Sequence, residues 1–110
     1  MAGDRSDTLA RFHEAVNMSA EELEAWLKTA QSRAVGQKKE GARESVGHAS
    51  GRLIVSLLRT SEVDLGEDDY QHMRKVAGFV RRHLAQRPSK IVTSRWRYSL
   101  MNWGHDPLKD

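Results

Sequence analysis

The residues of this sequence that could do chemistry are mainly cationic. Between Tyr70 and His105 there is no acidic residue, yet Arg74, Lys75, Arg81, Arg82, Arg87, Lys90, Arg95 and Arg97 all fall there, with His72, His83 and His105. Such a stretch attracts an anionic surface. Arginine dominates it, and the guanidinium fork can engage two phosphate oxygens at once. Contacts of this kind read no base sequence and weaken as salt rises. The competing reading is a solvated charged face, or arginines paired with carboxylates of this chain or of a second copy. Those carboxylates lie mostly early: residues 1–32 carry net −3 and residues 33–110 net +6. On this alternative, Arg81 and Arg82 meet Glu21, Glu22 or Glu24.

A second basic group, Lys38, Lys39 and Arg43, sits in the loop Gly36-Gln37-Lys38-Lys39-Glu40-Gly41-Ala42-Arg43. Its glycines have phosphate-loop spacing, but Gly41 is followed by Ala-Arg where a nucleotide loop needs Lys-Ser/Thr. The loop reads instead as a backbone-phosphate contact near a helix N-terminus, or as plain solvated chain. The histidines show no HxxxH pair for a helical zinc site. His72 and His83 share a helix face but stand about three turns apart. A Ser/His/Asp triad cannot be tested by spacing alone. Gly47 and Gly51 lie four apart in a helical stretch. Each costs about 1 kcal/mol of helix propensity against Ala. Two on one face predict close approach of another helix or a ligand.

Helical periodicity recurs along the chain, and no alternating strand pattern lasts more than a few residues. The first helix is predicted roughly over Thr8–Val16, with Leu9, Phe12 and Val16 on one side and Ser6 or Asp7 as cap. The second opens on a capping box, Ser19-Ala20-Glu21-Glu22, and buries Leu23, Trp26 and Leu27. Residues 31–45 read as a basic loop. A third helix follows over about Val46–Arg59, and a turn spans 60–66. The fourth, about Glu67–Gln86, puts Tyr70, Met73, Val76, Ala77, Val80 and Leu84 on one side. Arg74, Lys75, Arg81 and Arg82 fall on the other. Pro88 lies beyond its end. A short fifth helix fits Ser94–Asn102, with Gly104 just past its end and Pro107 beyond. Trp96, Tyr98, Leu100, Met101 and Trp103 make this tail an anchor.

Hydrophobic residues are 38% and charged residues 30% of 110 residues, with a pI near 9.5. One modest core is available, which excludes a two-domain enzyme, a nucleotide-binding α/β sheet and a barrel. Cysteine is absent, so no disulfide, thiolate nucleophile or zinc ribbon can form. Leu53-Ile54-Val55 is broken by Ser56, far short of the roughly 20 apolar residues that span a bilayer. The opening MAGDRSDT has no apolar run of a signal peptide.

Several blocks carry a family resemblance: Phe12-His13-Glu14-Ala15-Val16-Asn17-Met18, Val35-Gly36-Gln37-Lys38-Lys39, Glu44-Ser45-Val46-Gly47-His48 with Ser50-Gly51-Arg52, His72-Met73-Arg74-Lys75-Val76, Arg82-His83-Leu84-Ala85-Gln86-Arg87-Pro88, and the closing run from Tyr98 to Lys109. With these the chain resembles a family of short proteins known as domain of unknown function three-one-four-zero. The resemblance covers nearly the whole chain and implies one compact domain. It carries over no activity and no site residues.

The expectation is therefore an all-α single domain of about five helices over residues 1–110, with residues 1–6 disordered. The third and fourth helices should form the centre, with the tail tryptophans against them. The function expected is non-enzymatic DNA binding through phosphate contacts. Its residues would be Lys38, Lys39, Arg43, Arg74, Lys75, Arg81, Arg82, Arg87, Lys90, Arg95 and Arg97, with no cofactor or metal. The alternative is a protein-interaction or homo-oligomerisation module using the Gly47/Gly51 face, with no nucleic-acid role. Either would be cytoplasmic, without a membrane partner.

Overall fold

The computed structural model describes the backbone of residues 2–109 and the side chains of residues 4–109. Among the described residues there are six α-helices: α1 Ala2–Ala15, α2 Ala20–Leu27, α3 Ala30–Ala34, α4 Val46–Leu58, α5 Glu67–Leu84 and α6 Arg95–Asn102. A single 3₁₀ turn, Glu62–Asp64, precedes α5. No strand occurs among the described residues.

Local chemistry explains most helix starts. Ser19 caps α2 through the expected box: its Oγ accepts from Glu22 N, and Glu22 returns to Ser19 N. Ser45 caps α4 and Ser94 caps α6 in the same way on their N–H groups. Asp69 bonds back to Gly66 N at 2.9 Å to open α5. Gly104, at φ +82°, ends the α6 segment in the left-handed region that glycine adopts freely.

Two boundaries differ from expectation. Helix α1 starts at Ala2, so residues 2–6, expected to be disordered, are helical, and Met1 lies outside the described residues. Arg5 gives the reason: it pairs with Glu67 at 3.3 Å and lies 4.9 Å over the Tyr70 ring, tying this end to α5. The loop predicted over 31–45 begins with α3. Thr29 Oγ1 caps it on Ser32 N at 3.1 Å. A five-residue helix is too short to show a period.

The core is one cluster running from Phe12 to Trp103, with Phe12, Leu23, Ile54, Met73, Val76 and Leu100 fully enclosed. Its layout corrects the expected centre. Helix α1 packs along α5 and α2 along α4, while α6 touches α2, α3, α4 and α5. The middle is therefore α6 and its tail rather than the α4–α5 pair. Trp103 is the reason. Its ring stacks on Phe79 of α5 at 4.3 Å, and its Nε1 lies 2.9 Å from where a Cβ on Gly47 would stand. The indole is a slab between α4 and α5.

The glycines of α4 are the surface that admits this segment. A Cβ on Gly51 would stand 2.6 Å from Asn102 O and 2.6 Å from Leu27 Cδ2. The close approach predicted for Gly47 and Gly51 is thus made within the chain. Both glycines are buried, so the homo-oligomer face proposed for them does not exist as an open surface. Two outcomes are expected in denaturant titrations. Trp103→Ala should cost about 3–5 kcal/mol, as for a large buried aromatic. Gly51→Ala should cost at least about 1–3 kcal/mol by overpacking, because one obstacle is backbone. An unchanged midpoint in either variant would contradict this packing.

Candidate functional site

Helix α5 points Tyr70, Met73, Val76 and Val80 into the core, which leaves Arg74, Lys75, Arg81 and Arg82 exposed outside. Glu67 shares that outer side, two turns before Arg74. Arg74 Nη2 donates to Glu67 Oε1 at 3.0 Å and its Nη1 to Thr8 Oγ1 at 3.4 Å, which fastens α5 to α1. Arg97 donates from Nε and Nη2 to Asp106 at 3.1 Å each and from Nη1 to Val92 O at 2.7 Å. Burial pushes the Asp106 carboxyl up, but Arg97 and the Leu108 N–H hold it below its ordinary value. Arg95 donates to Ala34 O at 3.2 Å, joining the start of α6 to the end of α3. Arg74, Arg95 and Arg97, all expected to face phosphate, thus already hold the fold together.

Lys75, Arg81, Arg82, Arg87 and Lys90 remain. All are exposed, and none forms an ion pair among the described residues. Arg82 lies back over Gly78, where a side chain would obstruct it. The Arg87 guanidinium stands 5.9 Å from the Trp96 ring centre. Arg81 borders an open groove of about 950 Å³ between α1 and α5. The groove mixes Asp4, Asp7, Glu14 and Glu67 with Arg5, Arg11 and Arg74, so it presents no single sign of charge. Lys75, Arg82, Arg87 and Lys90 lie outside it. Two of the three carboxylates suggested as partners for Arg81 and Arg82 are taken elsewhere: Glu22 binds Lys109 at 2.6 Å and Glu24 binds Arg59 at 3.0 Å, while Glu21 pairs with neither arginine.

Lys38, Lys39 and Arg43 are exposed in the loop before α4. Three of the α4 amides beside them are already used: Val46 N–H donates to Gln37 O at 2.8 Å, His48 N–H to Ser45 Oγ at 3.0 Å and Ala49 N–H to Ser45 O at 3.0 Å. Nearby Glu44 is bound by Arg52 and His48, and the Arg52 hydrogen bond holds its carboxyl down to about 2.

Three histidines, His48, His72 and His105, make contacts within the fold. Ser50 Oγ and His72 Nε2 are 2.9 Å apart, a contact that joins α4 to α5. Ser50 is only 3% exposed, so its hydroxyl is closed to a substrate. His105 Nδ1 meets Ala15 O at 2.7 Å. Among the described residues no group of three or more His, Asp or Glu gathers around a metal-sized site.

A family model described as a protein of unknown function, DUF3140, matches residues 11–101. The chain belongs to this family. The matched span in this DUF3140 chain includes the loop cations and all five unpaired cations of the acid-free stretch. No curated protein and no solved structure matches the chain.

Two of the arginine–carboxylate pairings carry a signal in the sequence. Glu67 and Arg74 are seven residues apart on one helix, hence two turns apart on one side. Asp106 is the first carboxylate after the basic stretch. The sorting of arginines predicts a contrast in thermal or denaturant unfolding. Arg97→Gln should cost about 1–3 kcal/mol, because Asp106 and Val92 O lose a partly enclosed partner. Arg82→Gln should stay within about 0.5 kcal/mol. Equal losses would refute the division into fastening and free cations.

Proposed function

We propose that this DUF3140 protein is a non-enzymatic DNA-binding module that grips duplex phosphates with the C-terminal end of α5 and the turn that follows. One observation carries the reading: Arg81, Arg82, Arg87 and Lys90 form an exposed run with no ion-pair partner among the described residues, inside a stretch without carboxylates. Lys75 extends the run along the side of α5 that bears Arg82, about 10 Å back along the axis. The Arg95–Ala34 bond brings the chain leading into the Lys38–Arg43 loop beside the start of α6, which supports a second group of cations near the first. The contacts are to the backbone, so the binding is sequence-tolerant and salt-sensitive. No cofactor or metal is needed. The reading goes with a cytoplasmic location. No helix among the described residues is long and apolar enough to cross a membrane.

The competing role for Arg81 and Arg82 is neutralising the negative end of the α5 dipole, an effect of about 0.3–1 kcal/mol per charge. A titration of generic duplex at several salt concentrations separates the two. Replacing Arg81, Arg82, Arg87 and Lys90 together with Gln should weaken binding steeply. The log–log salt slope should flatten by up to about 3.6, at about 0.9 per phosphate contact. Arg74→Gln should change stability far more than binding. Unchanged binding by the folded quadruple variant would remove the role of this surface. Absence of binding by the parent chain at low salt would reject the function.

A further inference from the structure

Between α5 and the segment of α6 and Trp103 runs a file of stacked rings, beside a hydrogen bond from Trp96 Nε1 to His83 O at 2.6 Å. His72 lies on Trp103 at 6.3 Å and 16°, Trp103 on Phe79 at 4.3 Å and 16°, Phe79 on His83 at 4.9 Å and 18°, and His83 on Trp96 at 6.2 Å and 15°. Arg87 closes the file above Trp96. Two of its members are titratable, and both are wedged between larger rings or against a neighbouring helix. His72 Nε2 is tied to Ser50 Oγ on α4. His83 Nε2 is buried and has no hydrogen-bond partner among the described residues. A neutral imidazole can leave that nitrogen as a bare lone pair. An imidazolium would place a charged N–H there with nothing to accept it.

No carboxylate is bonded to either imidazole among the described residues. On α5, Lys75 adjoins His72, and past the end of that helix Arg87 follows His83 by four residues, both cationic. Of the two carboxylates one turn before His72, Asp69 accepts from Gly66 N–H and Asp68 is exposed to solvent. On α6, Arg95 lines the same shallow hollow as His83 and Trp96. On α4 only the Ser50 hydroxyl reaches the file, while His48 is turned to Glu44 and Leu27 O. In the tail, His105 is turned to Ala15 O and Asp106 is held by Arg97.

We propose that this ring file is a proton-sensitive clasp: protonation of His83 and His72 undoes the docking of α6 on α5. Burial holds both imidazoles below the usual 6.5, with Lys75 adding to the effect at His72 and the Ser50 contact opposing it. A histidine depressed in the folded state makes the unfolded chain bind protons first as pH falls. The clasp is therefore fully closed above about pH 6.5 and weakens as pH falls through that value, until the folded-state values are passed.

The test is a denaturant titration of the full chain at pH 7.5, 6.5 and 5.5, followed by tryptophan emission, beside His83→Phe. Phenylalanine keeps a ring in the file but takes up no proton. The native chain should show an unfolding constant several-fold larger at pH 5.5 than at pH 7.5, and His83→Phe should lose a clear part of that increase. Imidazole proton NMR of the native chain supplies a readout that needs no variant. The His72 and His83 resonances should titrate below about 6.5, the value of free histidine. Midpoints at or above that value, or full pH dependence retained in His83→Phe, would overturn the clasp.

Discussion

Everything in this fold depends on the tight insertion of three consecutive residues, Asn102, Trp103 and Gly104. Asn102 is 1% exposed and joins two other helices: its Oδ1 accepts from Trp26 Nε1 at 2.8 Å and from Ser32 Oγ at 2.5 Å, and its Nδ2 donates to Ser32 O at 3.0 Å. Trp103 fills the space between α4 and α5. Gly104 O accepts from Asn17 N and Met18 N, which fixes the link from α1 to α2. Gly47 and Gly51 make room for this segment, and a methyl group at Gly51 would meet backbone. Interiors are packed to crystal-like density, so such a seam has little slack.

The same seam explains how the tail is clamped. Asn17 Nδ2 donates to Asp106 O at 2.9 Å, and Asp106 N–H returns to Asn17 Oδ1 at 2.8 Å. Asp106 in turn holds Arg97, and Arg97 holds Val92 O. A chain of polar contacts thus runs from the α1–α2 corner to the turn before α6. Chemically distinctive residues in the closing block serve architecture.

One absence, that of carboxylates between Tyr70 and His105, has two physical consequences. Outside the fold it leaves cations with no neutralising partner, which favours an anionic surface. Inside the fold it leaves His83 with burial alone acting on it, while at His72 burial is reinforced by Lys75 and opposed by the Ser50 contact. The arginines divide along the same line. Those within reach of Glu67, Asp106 or a free carbonyl became fasteners, and those past the middle of α5 had nothing to reach.

Periodicity and capping chemistry are local, and the sequence alone determined what they determine. The helical class, the α2 capping box, the Ser94 and Gly104 limits of α6 and the buried side of α5 all follow from residues within a turn or two of each other. The burial of Trp103 and the close approach at Gly47 and Gly51 were legible too, because few other environments suit those residues. Only the tertiary structure decided the partner in each case. The glycines met this chain's own tail rather than a second copy. Arg74, Arg95 and Arg97 bound groups that folding brought near, and α6 with its tail took the centre expected for α4 and α5. Helix α1 extended to Ala2 because Arg5 found Glu67 and Tyr70, 62 and 65 positions along the chain. A charge or a gap in a sequence states a requirement, and long-range packing determines which group meets it.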